Sequence, residues 1–240
     1  TGFVLLFVLL LGTNSLFAQI DQGGTPLSFQ NETLRDNVDN VFVNPPNMEE
    51  ERRLHDYLEK NGEVYHVAVP MDVDFDMSTA GSWDILEDGT KVWRLRITSE
   101  GAEALSLHYS DFSLPEGSEL FLYNENKSQV AGAFTSDNNQ DGGYFSTRII
   151  QGETTTLEYI QPPHVTGTPV LDIYKLSWFY RGVEALVGYY KQDRPPNYGG
   201  SGDCEVNVNC PEGNNWQDEK RGVAVIYMPG SGGLCTGSLV

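Results

Sequence analysis

From Val64 to about Tyr190 the chain is a series of short apolar runs, each closed by a turn signal, and that rhythm leaves few folds open. The strand candidates are 64–69, 91–97, 104–109, 119–123, 130–134, 143–149, 154–160, 171–178 and 182–189. Between them stand Leu114-Pro115-Glu116-Gly117, Asn124-Glu125-Asn126, Asp141-Gly142-Gly143 and Pro162-Pro163. Many short strands with closely spaced turns predict a mainly β fold, an antiparallel β-sandwich. Strands do not alternate with helices, so a parallel α/β sheet is excluded. In Lys91–Ile97 apolar and basic residues alternate, which sets Arg94 and Arg96 outward on the face opposite Trp93.

One helix precedes the strands, over about 47–61. Asn47 stands at its N-cap with Glu50 three residues on, as in a capping box. Glu49, Glu50 and Glu51 suit the positive helix start. Leu54, Tyr57 and Leu58 predict the buried stripe, and Asn61-Gly62 the stop. Residues 21–44 read as a loose polar arm. Ahead of them, the apolar run Phe3–Leu11 and the sequence Leu16-Phe17-Ala18 predict a signal peptide over 1–18, cleaved after Ala18, and hence secretion. The run is shorter than the ~18 residues a membrane span needs, so no membrane anchor is expected after cleavage. With neither Met nor a basic residue at its start, the chain is expected to be truncated there.

The net charge of −19 excludes nucleic acid, because phosphate neutralisation needs clustered Lys and Arg. Residues 199–240 hold five acids against two bases, so most of the acidity lies before them. All three cysteines, Cys204, Cys210 and Cys235, also lie in that last segment. The preceding region must therefore be held by its core alone. An odd count in an exported chain means at least one partner elsewhere. Between the two regions Asp193–Gly202 is rich in Pro and Gly and reads as an exposed linker open to proteolysis, with Arg194, Tyr198, Gly199 and Gly200 as the cleavage region.

The last segment carries the most specific signature. Gly222–Tyr227 is an apolar run, Pro229–Gly233 a glycine-rich turn, and Cys235-Thr236-Gly237-Ser238-Leu239-Val240 a returning strand. That pattern resembles the first hairpin of a trypsin-like serine protease domain. Gly202–Gly213, with Cys204 and Cys210, resembles the mature N-terminus of bacterial lysyl endopeptidases, in register with the Cys235 segment. Trp93, Gly101-Ala102, Phe112-x-Leu114-Pro115 and Leu120–Tyr123 resemble the same family's propeptide. The resemblance implies a secreted serine endopeptidase precursor: signal peptide 1–18, propeptide 19–198, and residues 199–240 opening a trypsin-like barrel. It implies protein or peptide substrates, no cofactor, a propeptide packed on its own protease domain, and lysine specificity set by a pocket built later. It places the Ser-His-Asp triad after Val240, so no catalytic residue is assigned here and the fragment is expected to be inactive. Cys204, Cys210 and Cys235 would pair with cysteines beyond the chain, and the tail, lacking its next strand, is expected to be poorly held.

Other motifs have plainer readings. Gly230-Ser231-Gly232-Gly233 imitates a nucleophile motif without its Asp, and Ser238 has no base nearby in sequence. His55, His66, His108 and His164 are scattered through the β region. Asp137, Asn139 and Asp141, with Gly142, open like an EF-hand loop, yet Arg148 stands where the bidentate Glu belongs, and a hairpin turn is the better reading. Asp72, Asp74 and Asp76 share a strand face that is solvated or, alternatively, holds a hard cation, with Val73 and Phe75 inward. The sequons at Asn31 and Asn126 mean little if the source is bacterial. The non-enzymatic alternative is a secreted β-sandwich for adhesion or carbohydrate binding, with Trp83, Trp93 and Trp178 as stacking platforms and a degenerate protease-like tail.

Overall fold

The computed structural model describes residues 21–183, 186 and 211–238. The strands are β1 (Asn40–Phe42), β2 (Tyr65–His66), β3 (Ala68–Phe75), β4 (Ser82–Ile85), β5 (Lys91–Thr98), β6 (Ala104–Ser113) and β7 (Glu119–Asn124). They continue as β8 (Val130–Phe134), β9 (Phe145–Ser146), β10 (Ile150–Gln151), β11 (Thr154–Gln161), β12 (Val170–Phe179), β13 (Val223–Met228) and β14 (Gly233–Ser238). Two α-helices lie wholly within the described residues, α1 (Met48–Lys60) and α2 (Gln217–Arg221).

Two sheets make the expected sandwich. One has the order β1-β5-β11-β7-β8, with β4 also paired to β5. The other has the order β10-β6-β12-β3, with β9 also paired to β6. Every pairing is antiparallel except β1 with β5. Period-two alternation supplies the core. Trp93, Leu95, Ile97, Leu120, Leu122, Leu157 and Tyr159 of the first sheet meet Leu105, Leu107, Tyr109, Leu171, Ile173, Leu176 and Trp178 of the second. Each such large side chain contributes about 2 kcal/mol on burial. Trp93 anchors the layer: its Nε1 donates to the Ala80 carbonyl at 3.0 Å. Gly81, at φ +89°, turns beneath the indole, where any side chain would collide with the ring.

The arm over 21–44 is not loose. β1 adds to the edge of β5, Leu34 and Val38 are buried, and the Ser28 N–H donates to Glu158 Oε1 at 3.0 Å. The arm covers the outer face of the first sheet, and so β11 is buried on both sides. Arg94 does point to that outer face, but the arm and β4 cover it: Nη2 donates to the Arg35 carbonyl at 2.6 Å and to Asp84 Oδ2 at 3.0 Å.

Helix α1 has the expected span and a different buried stripe. Leu54 and Tyr57 are exposed, 49% and 64%, while His55 is buried and Met48 packs on the core. Polar partners around His55 decide which face turns inward. The capping box is absent, since Asn47 makes no side-chain cap; its amide donates to Glu50 Oε2 at 3.4 Å. The strand expected over 182–189 is also corrected: Val183 and Leu186 are helical, and Leu186 N–H donates to the Gly182 carbonyl at 3.1 Å. The signal peptide and linker segments lie outside the described residues.

Candidate functional site

As far as Ser238 the tail is held, contrary to expectation, and the place where it is held is the candidate site. β14 pairs with β13 on one edge and with β2 on the other, Gly233 opposite His66 and Leu234 opposite Tyr65. This third sheet joins the short strand that follows α1 to the C-terminal hairpin. The intervening turn is a tight one, with Ser231 and Gly232 N–H both donating to the Met228 carbonyl. Gly232 sits at φ +74°, and its carbonyl accepts from Val67 N–H at 2.9 Å and Ala68 N–H at 3.2 Å. A side chain on Gly232 would strike the Ala68 carbonyl, so glycine is what permits this close approach.

Side chains reinforce the seam. Tyr227 and Leu234 pack on a buried cluster of Val67, Ala68, Ala104, Phe179 and Val183. The Tyr227 and Phe179 rings lie 5.0 Å apart. The Tyr227 hydroxyl, 2.6 Å from Ser177 Oγ, is pushed up to about 12 by burial, with the Ser177 hydrogen bond acting in the opposite sense. Ser177 Oγ is also 2.6 Å from His108 Nε2, and His108 Nδ1 is 2.8 Å from Ser146 Oγ.

The Ser177–His108 contact has the distance of a nucleophile–base pair and none of its other attributes. Both residues are buried and no cavity described below reaches them. His108 has a serine, not a carboxylate, on its second nitrogen, and burial, with Lys175 adding to it, lowers its pKa to about 4. A neutral imidazole locked between two hydroxyls is a structural link.

Behind β2 lies a second polar cluster. The His55 and His66 rings stack at 4.2 Å, only 7° from parallel. His55 Nδ1 is 2.6 Å from Tyr180 Oη, which donates to the His66 carbonyl at 3.2 Å. Arg181 Nε donates to the same carbonyl at 2.6 Å, and its Nη2 pairs with Glu59, whose Oε1 also accepts from His66 N–H. The Arg181 guanidinium lies 4.2 Å over the Tyr65 ring. Burial lowers the His55 pKa; the positive charges of His66 and Arg181 lower it further against Glu59 and Asp56.

Among the described residues, those singled out in the sequence do not converge. Cys235 is a free, exposed thiol on β14; Cys204 and Cys210 lie outside the described residues, as do Arg194, Tyr198, Gly199 and Gly200. Ser238 is a paired strand residue opposite Val223. Asn139 is committed elsewhere: Oδ1 accepts from Leu114 N–H at 2.8 Å and Nδ2 donates to the Leu114 carbonyl at 2.9 Å. This withdraws it from calcium ligation beside Asp137, in the 3-10 turn Ser136–Asn138, and Asp141, in the turn before β9. Asp72 pairs with Lys175, and Asp76 leaves the strand face to bind Ser78 and Thr79, which lowers its pKa. Among the described residues no group of three His, Cys, Asp or Glu side chains is placed to hold a metal ion. Trp93 and Trp178 are in the core, unavailable to sugars, and Trp83 sits edge-on to Tyr159. A crevice of about 500 Å³ does open between the arm and β5, floored by Arg94, Arg96 and Thr156.

Sequence reasoning missed the seam itself. Tyr227 was legible as a strand residue and Leu234, just before the expected returning strand, was not, and nothing local marks β2 as the hairpin's partner. Residues 47–180 match the family model described as the lysyl endopeptidase N-terminal domain, and residues 198–240 match that of the lysyl endopeptidase C-terminal domain.

Proposed function

The chain belongs to the lysyl endopeptidase family, whose members are peptidases, and from that premise we propose that it is the front of an exported serine endopeptidase precursor. Residues 1–18 export it, 19–198 form the propeptide, and 199–240 begin the protease domain. Peptide bonds in protein substrates are hydrolysed after lysine by a Ser-His-Asp triad supplied beyond Val240, with a backbone oxyanion hole. The propeptide holds the first hairpin of the protease domain and so assists a non-local β topology that is slow to form alone. Cleavage within Arg194–Gly200 separates the two.

The observation that carries this reading is the β2–β14 pairing. The strand that abuts the C-terminal hairpin belongs to the segment matched by the N-terminal model, and the hairpin belongs to the segment matched by the C-terminal one. A strand added to an exposed sheet edge is an established mode of recognition.

The test is expression of the complete reading frame. The secreted product is expected to start within residues 195–201, to cut lysine-containing peptides, and to lose activity to a serine-directed phosphonylating reagent. A mature N-terminus well outside that window, or activity that survives the reagent, would refute it.

A further inference from the structure

We propose that the hairpin-holding seam is released by mild acid through the stacked pair His55 and His66. The inference rests on the preceding reading, in which β2 is the propeptide strand that holds β14.

The geometry makes this pair intolerant of charge. The rings are face to face at 4.2 Å and both residues are buried. His66 Nδ1 is buried without a hydrogen-bond partner, so a proton added there meets no acceptor. A cation is already present, because Arg181 binds the His66 carbonyl. Two imidazolium rings in contact beside a guanidinium place three like charges around one strand of two residues.

The surroundings can be counted from each element. On α1, Glu51 Oε2 is 3.8 Å from His55 Nε2, Asp56 and Glu59 oppose the positive charge, and Arg52 stands over Tyr180. Glu59 is already paired with Arg181. β2 brings Tyr65 and His66, and the end of β12 brings Tyr180 and Arg181. β14 brings only Gly233 and Leu234 to the pairing. Above neutral pH the His55 ring, its pKa lowered first by burial, is uncharged and the stack holds α1 against β2. As pH falls below ~6.5, the freed state protonates His55 more readily than the closed one. Protonation of His55 then favours release by up to about tenfold per pH unit, until its own value in the closed state is reached. Because the Val67 and Ala68 amides that hold Gly232 follow directly on His66, a shift of β2 loosens the hairpin turn.

The experiment is amide hydrogen exchange on the intact chain at Val67 and Ala68, corrected for intrinsic rates, at pH 7.5 and 5.5. The near-ultraviolet signal of the buried tryptophans reports that the sandwich stays folded. Protection at both amides is expected to drop at least tenfold in the wild type and in His108→Gln, and to stay flat in His55→Gln/His66→Gln. Flat protection in the wild type, or a full drop in the double variant, overturns the acid latch and leaves the docking reading standing. Amides unprotected already at pH 7.5 overturn both. A histidine-ring titration on the wild type needs no variant. The His55 resonance is expected to move with the Val67 amide, and a His55 ring that titrates while that amide stays protected overturns the proposal.

Discussion

The Tyr227 hydroxyl lies 2.6 Å from Ser177 Oγ, and that hydrogen bond joins the C-terminal hairpin to a strand in the middle of the sandwich. Ser177 has a second partner in His108, so removing the phenol leaves no orphaned group on the sandwich side. Tyr227→Phe is expected to cost about 1 kcal/mol, the net worth of one such bond. Urea unfolding followed by tryptophan fluorescence checks it, with the slope unchanged and only the midpoint moved.

Gly232 is the least replaceable residue of the seam. Gly232→Val places a β-branched side chain at positive φ and against the Ala68 carbonyl. Undocking of the hairpin is expected at a cost of roughly 2–3 kcal/mol, with the two large sheets intact. Loss of exchange protection at Val67 and Ala68, without change in the buried tryptophan signal, is the expected pattern.

His108 gives the fold a pH slope. Its folded pKa of about 4 lies below the unfolded value of 6.5, so the unfolded state binds the proton first. Its contribution is complete above pH 6.5 and is lost as pH falls toward 4, by at most about 3 kcal/mol. Denaturation midpoints from pH 7.5 to 4.5 are expected to fall for the wild type and to fall less for His108→Gln. Parallel curves for the two proteins would remove His108 from the account.

Arg94 and Asp84 form an ion pair whose cation is nearly inaccessible, with 6% of its side chain exposed. Asp84→Ala strands that charge and is expected to destabilise by about 3 kcal/mol, whereas Asp84→Ala/Arg94→Met recovers most of the loss. A double-mutant cycle measures the difference. An additive result would mean that the Arg35 carbonyl alone satisfies the guanidinium.

Calcium is expected to leave the chain untouched. Asn139 has both ends of its amide committed to Leu114, and Asp76 is committed to its own turn. Titration calorimetry with calcium should register no binding heat, and a chelator should leave the melting temperature unchanged.

The sandwich was readable because its signals are local. The Val130–Phe134 strand has the expected bounds, and the alternation in β5 correctly separates Trp93 from Arg94 and Arg96. What failed depends on partners remote in sequence. Nothing near Arg94 reveals that Arg35 and Asp84 will cover it, and nothing within 47–61 reveals that His55 rather than Leu54 turns inward. Tyr180, 125 residues further along, and His66, on β2 beyond the helix, make that choice. The run 182–189 has strand-like composition, yet Gly182 accepts a helical hydrogen bond from Leu186. The seam was hidden for the same reason: the run 64–69 reads as a strand, but nothing in it shows that it breaks at Val67 or that Tyr65 and His66 pair with β14.

The pairing of β2 with β14 has a consequence for stoichiometry. While the backbone between Val183 and Pro211 is continuous, the two strands meet at a tethered local concentration of order millimolar. One cut there leaves the hydrogen bonds as they were but makes their partners separate molecules. Occupancy then follows bulk dilution, so at ~1 μM the same interface loses about a thousandfold of its driving concentration. Severed pieces would remain together in a crowded compartment and drift apart on escape into a large volume.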